Sequence, residues 1–354
     1  MTLSLTEIAI QQTANVIPTP GITALLHGFY AVPGITFLAE VGLVAEWLSG
    51  KPVDVPAFCR EHGLDSDLVR TWCEYFRLYG YLEQAGGDGS YAATQNGSTI
   101  LVRWPQAMLN YAYHPMMGDL IALARGEKQY GYGKDVYRNM YFDAKGAGGL
   151  GAMLSFGQIA DYLEDKGHTC LLDLGCGDGT FLVTACKRIP GLRALGLDQS
   201  EIAVAEAEKN FARHGLAGRG QFVQGDIMTP DEAFANPLLQ QAQVATIMQI
   251  LQEITGESTE PVERFLASFR RHLPGVALAV TEFYRLTPEE LKGYLATGVA
   301  ESALHHDLSD QNLLRRDQWL ALYEQAGFRV ADSIMHLQAP GFPPVIETLV
   351  LRSI

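Results

Sequence analysis

The chain has 354 residues, 47% of them hydrophobic and 19% charged. That is apolar material for a large packed core in more than one domain, and it excludes a largely disordered protein. A formal net charge of −14 repels phosphate backbones and anionic headgroups, so neither nucleic acid nor a membrane surface is expected as a partner.

The first 20 residues carry Glu7 and no Lys or Arg, and no run of about 18 apolar residues is read anywhere, so neither a signal peptide nor a spanning helix is expected. Five cysteines without a C-x-x-C pair fit neither a disulfide framework nor a zinc site, which points to a cytoplasmic protein without a metal. Residues 35–48 carry Phe37, Leu38, Val41, Val44, Ala45 and Leu48 at helical spacing before Gly50, and are expected to form one amphipathic helix. Two further helices are expected at 55–62 and 66–78, each stopped by a glycine, followed by a hairpin whose turn is the Gly-rich segment 86–89. Helix, helix and hairpin make a winged-helix pattern. Residues 1–96 hold four basic against ten acidic side chains, which argues against DNA as its ligand.

Residues 98–125 are mostly apolar and read as helical. They lead into 130–142, where Tyr130, Tyr132, Tyr137, Tyr141 and Phe142 place five aromatics in thirteen residues. One reading puts Tyr137 and Tyr141, four apart, on one helix face as a core or interface stripe. The other makes the rings a wall for a cation. From Cys170 onward the pattern changes to alternating strands and helices. Strands are expected at 171–174, 194–197, 221–223, 244–248, 276–281, 329–334 and 347–351, which implies a Rossmann-like, doubly wound α/β sheet.

The first βα turn reads Asp173-Leu174-Gly175-Cys176-Gly177-Asp178-Gly179-Thr180. Gly175 and Gly177 allow a tight turn and close backbone approach, but Thr180 stands where a dinucleotide fingerprint carries Gly or Ala. Asp198 ends the second strand and Asp226 follows the third, so acids recur at three successive strand ends. They suit a ligand with an amino group, a ribose and an adenine but no phosphate.

This constellation resembles the class I S-adenosylmethionine-dependent methyltransferase superfamily over residues 150–354. The resemblance implies a seven-stranded sheet that binds S-adenosylmethionine, with Asp173, Gly175 and Gly177 at the methionyl part. It puts Asp198 and Gln199 at the ribose, Asp226 and Ile227 at the adenine, and Gln249 near the sulfur. The N-terminal part is similar to the winged-helix dimerisation domains of small-molecule methyltransferases, so residues 1–145 are expected to provide dimerisation and a lid, and 146–354 catalysis, in a homodimer acting on a small molecule.

O-methyltransferases of this kind carry a His-Asp pair after the fourth strand, to deprotonate a hydroxyl. Here the segment is Gln249-Ile250-Leu251-Gln252-Glu253, without the histidine. Glu253 and Glu282 are the carboxylate candidates for a base, and His305, in the His305-His306-Asp307 run, is a candidate reaching in from an insertion at 285–316. Methyl transfer to a nitrogen or carbon nucleophile is therefore expected ahead of oxygen. A looser likeness to the SAM cyclases that make azetidine-2-carboxylate gives the alternative: the methionyl amine attacks its own γ-carbon against a wall of Tyr132, Tyr137, Tyr141 and Phe142 and releases methylthioadenosine. A further alternative is a SAM-binding or regulatory module without catalysis.

Overall fold

The computed structural model describes residues 20–131, 133–255, 258–309 and 311–354. The chain divides into two compact units between Ala112 and Tyr113.

In the first unit, the expected helix at 35–48 is two helices, Pro20–Glu40 and Leu43–Leu48. The break is at Gly42, whose φ of 96° lies in the left-handed region and cannot continue a helix. Helices Val55–His62 and Ser66–Leu78 are capped by the side chains of Asp54 and Asp65, which accept backbone N–H groups of the first turn. A three-stranded sheet in the order β1 (Val53–Asp54), β3 (Ser90–Ala93), β2 (Leu82–Gln84) follows, so the expected hairpin is present and gains a third strand. Leu38, Trp47, Phe76 and Tyr91 form the core of this unit. The apolar stretch at 98–125 is broken into short helices, among them Trp104–Ala112, His114–Gly118 and Leu120–Ala124.

The expectation of no long apolar run is corrected. Gly21–Glu40 is long and apolar enough to cross a membrane by length and composition, with a mean hydropathy of 1.5. Ala31, Ile35 and Leu38 on it are buried in the unit's core, whereas Ile22, Leu25, Leu26, Phe29 and Tyr30 are exposed. The exposed set recurs at i, i+3, i+4, i+7 and i+8 and makes one apolar stripe.

The second unit begins with short helices and the aromatic segment. Tyr137 and Tyr141 do not share a helix face, because the helix there is Met140–Leu154 and starts after Asn139, whose extended backbone and side chain cap it. Helix Phe156–Asp165 then leads into a seven-stranded sheet, β4 (Cys170–Leu174), β5 (Arg193–Asp198), β6 (Gly220–Gln224), β7 (Val244–Met248), β8 (Ala277–Phe283), β9 (Phe328–Leu337) and β10 (Ile346–Ser353). Its order is β6-β5-β4-β7-β8-β10-β9. The first five of these pair in parallel, and β10 runs antiparallel to both β8 and β9.

Residues of β4 are buried along its whole length, as expected for a strand covered on both faces. Leu172, Ala245 and Leu278 point into one hydrophobic cluster, and Leu171, Val244 and Ala277 into the other. The registers Leu174↔Leu197, Asp198↔Gln224 and Met248↔Thr281 bring the C-terminal ends of five strands to a common edge. The chain leaves β4 towards β5 and later returns to β4's other side with β7, so the edge contains the topological switch point at which α/β sheets bind ligands.

Candidate active site

The loop after β4 is curled back over β5. The N–H groups of Gly175 and Cys176 both donate to the Leu197 carbonyl, at 2.7 and 3.0 Å. Gly175 has φ +73°, and a Cβ on it would collide with the Ile250 side chain, so both backbone geometry and space require glycine there. Gly177 N–H donates to Asp198 Oδ2 at 2.9 Å and Ser200 N–H to Asp198 Oδ1 at 2.9 Å. Gly179 N–H donates to the Cys176 carbonyl and Thr180 N–H to Asp178 Oδ1. The N–H groups of Gly175, Cys176, Gly177, Gly179 and Thr180 are thus bonded within the chain, beside two carboxylates, which disfavours a phosphate in this loop.

Asp173 is buried in β4 and accepts Thr246 Oγ1–H of β7 at 2.6 Å. Burial raises its carboxyl to about 7; the Thr246 bond acts against the shift and the Asp198 charge with it. Gln224 Nε2 donates to the carbonyl of Gln199, and Asp226 Oδ1 accepts Met228 N–H at 2.8 Å, which holds the turn after β6 next to buried Ile227. Gln249, after β7, is the only non-glycine residue with positive φ among the described residues, at 56°, and its N–H donates to the Thr281 carbonyl at 2.7 Å. A strained residue of this kind at the functional edge of a sheet marks a turn held by its surroundings. Asp173, Gly175, Gly177, Asp198, Gln199, Asp226, Ile227 and Gln249 therefore all lie along one edge.

The candidates for the chemistry are dispersed. Tyr132 lies outside the described residues. Tyr137 has the Arg138 guanidinium 5.3 Å from its ring centre, and Tyr141 is 53% exposed with Lys145 Nζ 4.9 Å from its ring centre. Glu253 accepts Arg138 Nη2–H at 2.6 Å, and Arg138 Nε lies 2.9 Å from Asp143 Oδ2. Burial raises the Asp143 carboxyl to about 6 in spite of Arg138. Glu282, 1% exposed, accepts Leu251 N–H at 3.0 Å. Burial raises it to about 8, so it holds its proton at neutral pH and braces the turn after β7. His305 is stacked on Tyr113 with ring centres 4.3 Å apart, and burial lowers its imidazole to about 4. His306, its neighbour, faces Gln252 instead, with their Nε2 atoms 3.0 Å apart.

Arg138, Asp143 and the Gln252–His306 contact were not among the site residues expected from sequence. Arg138 stands 115 residues from Glu253, and no local spacing announces such a pair. The signal for Gln252 was present as the amide standing in a segment expected to carry a histidine.

Comparison with known proteins agrees with this fold. Residues 171–275 match the family described as a methyltransferase domain. The 2-ketoarginine methyltransferase of Streptomyces arginensis is 25% identical over 86% of this chain and 87% of its own length. The structure of mitomycin 7-O-methyltransferase is similar with a TM-score of 0.60 at 19% identity, over 99% of both chains. Human N-acetylserotonin methyltransferase in complex with SAM is similar with a TM-score of 0.63 at 16% identity, over 96% of this chain and 99% of that one. Other curated methyltransferases, such as the release factor glutamine methyltransferase of Gloeobacter violaceus, are matched over half or less of their own length.

The edge fits S-adenosylmethionine, which has a sulfonium, an amine and ribose hydroxyls to offer carboxylates and no phosphate to need free N–H groups. Asp198→Ala removes the acceptor for two backbone N–H groups and for the cofactor, and should weaken S-adenosylhomocysteine binding by about 1–3 kcal/mol in calorimetry; an unchanged affinity would remove Asp198 from the site. A second expectation concerns Glu282. A carboxyl that ionises near 4.5 when unfolded and about 8 when folded contributes stability that is complete below about 4.5 and lost as pH rises towards 8. Glu282→Gln keeps an acceptor for Leu251 and has no proton to lose. Between about pH 5 and about pH 9 its melting temperature should fall less than that of the unmodified protein, and equal falls in thermal unfolding would refute the assignment.

Proposed function

We propose that this S-adenosylmethionine-dependent enzyme of the class I methyltransferase fold transfers a methyl group to an enolisable carbon of a small 2-oxo acid. One observation carries the reading: the segment after β7 presents the amide Gln252 and an ion-paired Glu253, not a His-Asp pair suited to deprotonating a hydroxyl. A carbon next to a ketone supplies its own acidity and delocalises the charge that forms when its proton leaves, so it asks less of the protein than an alcohol does. The similarity to a 2-ketoarginine methyltransferase across most of both chains supports a 2-oxo acid as the class of acceptor.

The cofactor supplies a methyl group on a positive sulfur that leaves as a neutral thioether. On this reading Asp198 and Gln199 would hold its ribose, Asp226 and Ile227 its adenine, and Asp173, Gly175 and Gly177 its methionyl part, with Gln249 near the sulfur. Cyclisation of the cofactor is the less favoured reading. Arg138 lies over the ring of Tyr137 and Lys145 over that of Tyr141, and these cations compete with a sulfonium for the rings.

The test is incubation with S-adenosylmethionine, alone and with 2-oxo acids, amines or phenols, followed by mass spectrometry. The expected outcome is S-adenosylhomocysteine formed with the 2-oxo acids, together with an acid enlarged by one carbon. Methylthioadenosine formed from the cofactor alone would replace this reading with cyclisation.

The apolar stripe of Ile22, Leu25, Leu26, Phe29 and Tyr30, with Leu25 71% and Phe29 64% exposed, supports a homodimer in which a second copy covers it. Light scattering after size exclusion should give twice the chain mass of 38.7 kDa. The double variant Leu25→Glu, Phe29→Glu should elute at the single-chain mass, and a variant that remains dimeric would move the interface elsewhere.

A further inference from the structure

Helix Glu201–Arg213 starts beside Asp198 and runs behind the loop that follows β4. Its N-cap is Ser200, whose N–H donates to Asp198 Oδ1. The buried face of this helix carries Ala207, Asn210 and Phe211, at i, i+3 and i+4. Asn210 is the polar member of the three and is 8% exposed. An asparagine inside a helix costs stability relative to alanine, and its amide needs a partner once it is buried. The partner is in the loop: Asn210 Nδ2 donates to the Asp178 carbonyl at 3.0 Å, across 32 residues of sequence. A carbonyl oxygen only accepts, so the amide nitrogen faces the loop. Neighbouring contacts hold the same place. Asp178 Oδ1 accepts both the N–H and the Oγ1–H of Thr180, at 3.0 and 2.6 Å. A Cβ added to Gly179 would lie 3.1 Å from that of Ala207, so the tip of the loop is pressed onto the helix and Asn210 fastens it there.

We infer that Asn210 is a positioning residue for the methionyl half of S-adenosylmethionine, acting through the Asp178 carbonyl on the loop that receives it. This rests on the reading of Asp173, Gly175 and Gly177 as the methionyl site. The loop is moored to its neighbours in three places: at the Leu197 carbonyl, at the Asp198 carboxylate through Gly177, and at Asn210. The first two moorings belong to β5 and fix how the chain leaves β4. Past Gly177, the bonds from Gly179 N–H to the Cys176 carbonyl and from Thr180 to Asp178 close turns within the loop and do not attach it to another element. Asn210 supplies the attachment there. The same helix holds Asp198 through Ser200 at one end and the loop tip through Asn210 near the other, so it sets the two relative to each other. Without the Asn210 amide the tip is free to leave the helix, and a ligand that touches the loop has to order it on binding, which lowers affinity. Asp198 keeps its bond from Ser200, so the parts of the ligand held at the ribose and adenine lose little.

Two ligands separate this role from a merely structural one. S-adenosylhomocysteine carries the amino-acid chain, and methylthioadenosine has the same ribose and adenine without it. Asn210→Asp keeps the size of the side chain and removes its donor when ionised. In calorimetry at about pH 8 it should bind S-adenosylhomocysteine about 3–10-fold more weakly and methylthioadenosine less than about twofold more weakly. Lowering the pH towards about 5 protonates the introduced carboxyl and restores a donor. The ratio of affinities between variant and unmodified protein should then return towards one, and the ratio cancels the titration of Asp173 that both share. Asn210→Ala should show the same ligand split without the recovery. Equal weakening of both ligands would overturn the inference and leave the cofactor site standing, as would unchanged S-adenosylhomocysteine binding in a protein that Asp198→Ala does weaken. Binding that neither Asp198→Ala nor Asn210→Asp alters would overturn both. Should the variants fail to fold, nitrogen-15 spectra of the unmodified protein decide the matter. The Asn210 side-chain amide protons should exchange with solvent more slowly with S-adenosylhomocysteine bound than with methylthioadenosine, and equal exchange in the two complexes would overturn the inference.

Discussion

The Leu197 carbonyl, which accepts the N–H groups of both Gly175 and Cys176, is the contact on which the cofactor edge depends. It bends the chain sharply as it leaves β4, and this bend puts Gly175 at a positive φ against Ile250. It also carries Gly177 close enough for its N–H to reach Asp198. Five of the loop's N–H donors are bonded inside the protein, and acids rim the Gly-rich turn.

On the other side of β4, the edge is organised by buried polar groups. Thr246 ties β7 to Asp173, the Thr281 carbonyl holds the strained Gln249, and protonated Glu282 braces Leu251. Arg138 lies between Asp143 and Glu253 and offsets two carboxylates that would otherwise repel each other. Apart from Arg138–Asp143, each of these contacts joins residues distant in sequence, and they fix a short turn that is also anchored by Leu251, buried in the core, and by Ile250 packed against it. A rigid turn is what a methyl transfer needs, since the reaction depends on distance and alignment between two bound molecules.

The first unit shows the opposite balance. Its core is closed by Trp47, Phe76 and Leu38, while its longest helix keeps a second apolar face outward. Composition alone gives this helix the character of a spanning segment, and its amphipathic division becomes visible only when the inward and outward residues are separated. Gly42 illustrates the same limit on a smaller scale. Helical spacing runs on through residues 35–48, and only the left-handed backbone at Gly42 reveals that two helices share the pattern.

Local periodicity and the spacing of acids determined the sheet and its cofactor edge, because strands, βα turns and strand-end carboxylates are written in short contiguous segments. The positions of Asp173, Gly175, Asp198 and Asp226 at the strand ends and turns were therefore legible one by one. The site beside the cofactor edge was decided by tertiary structure. Tyr141 and Glu253 looked like chemistry in the sequence, but one ring lies under Lys145 and one carboxylate is held by Arg138. The contact between Gln252 and His306 spans 54 residues and requires a helix from the insertion to fold back onto β8. Side-chain protonation and lone-pair direction depend on which partner arrives from elsewhere in the chain, and no local pattern encodes that arrival.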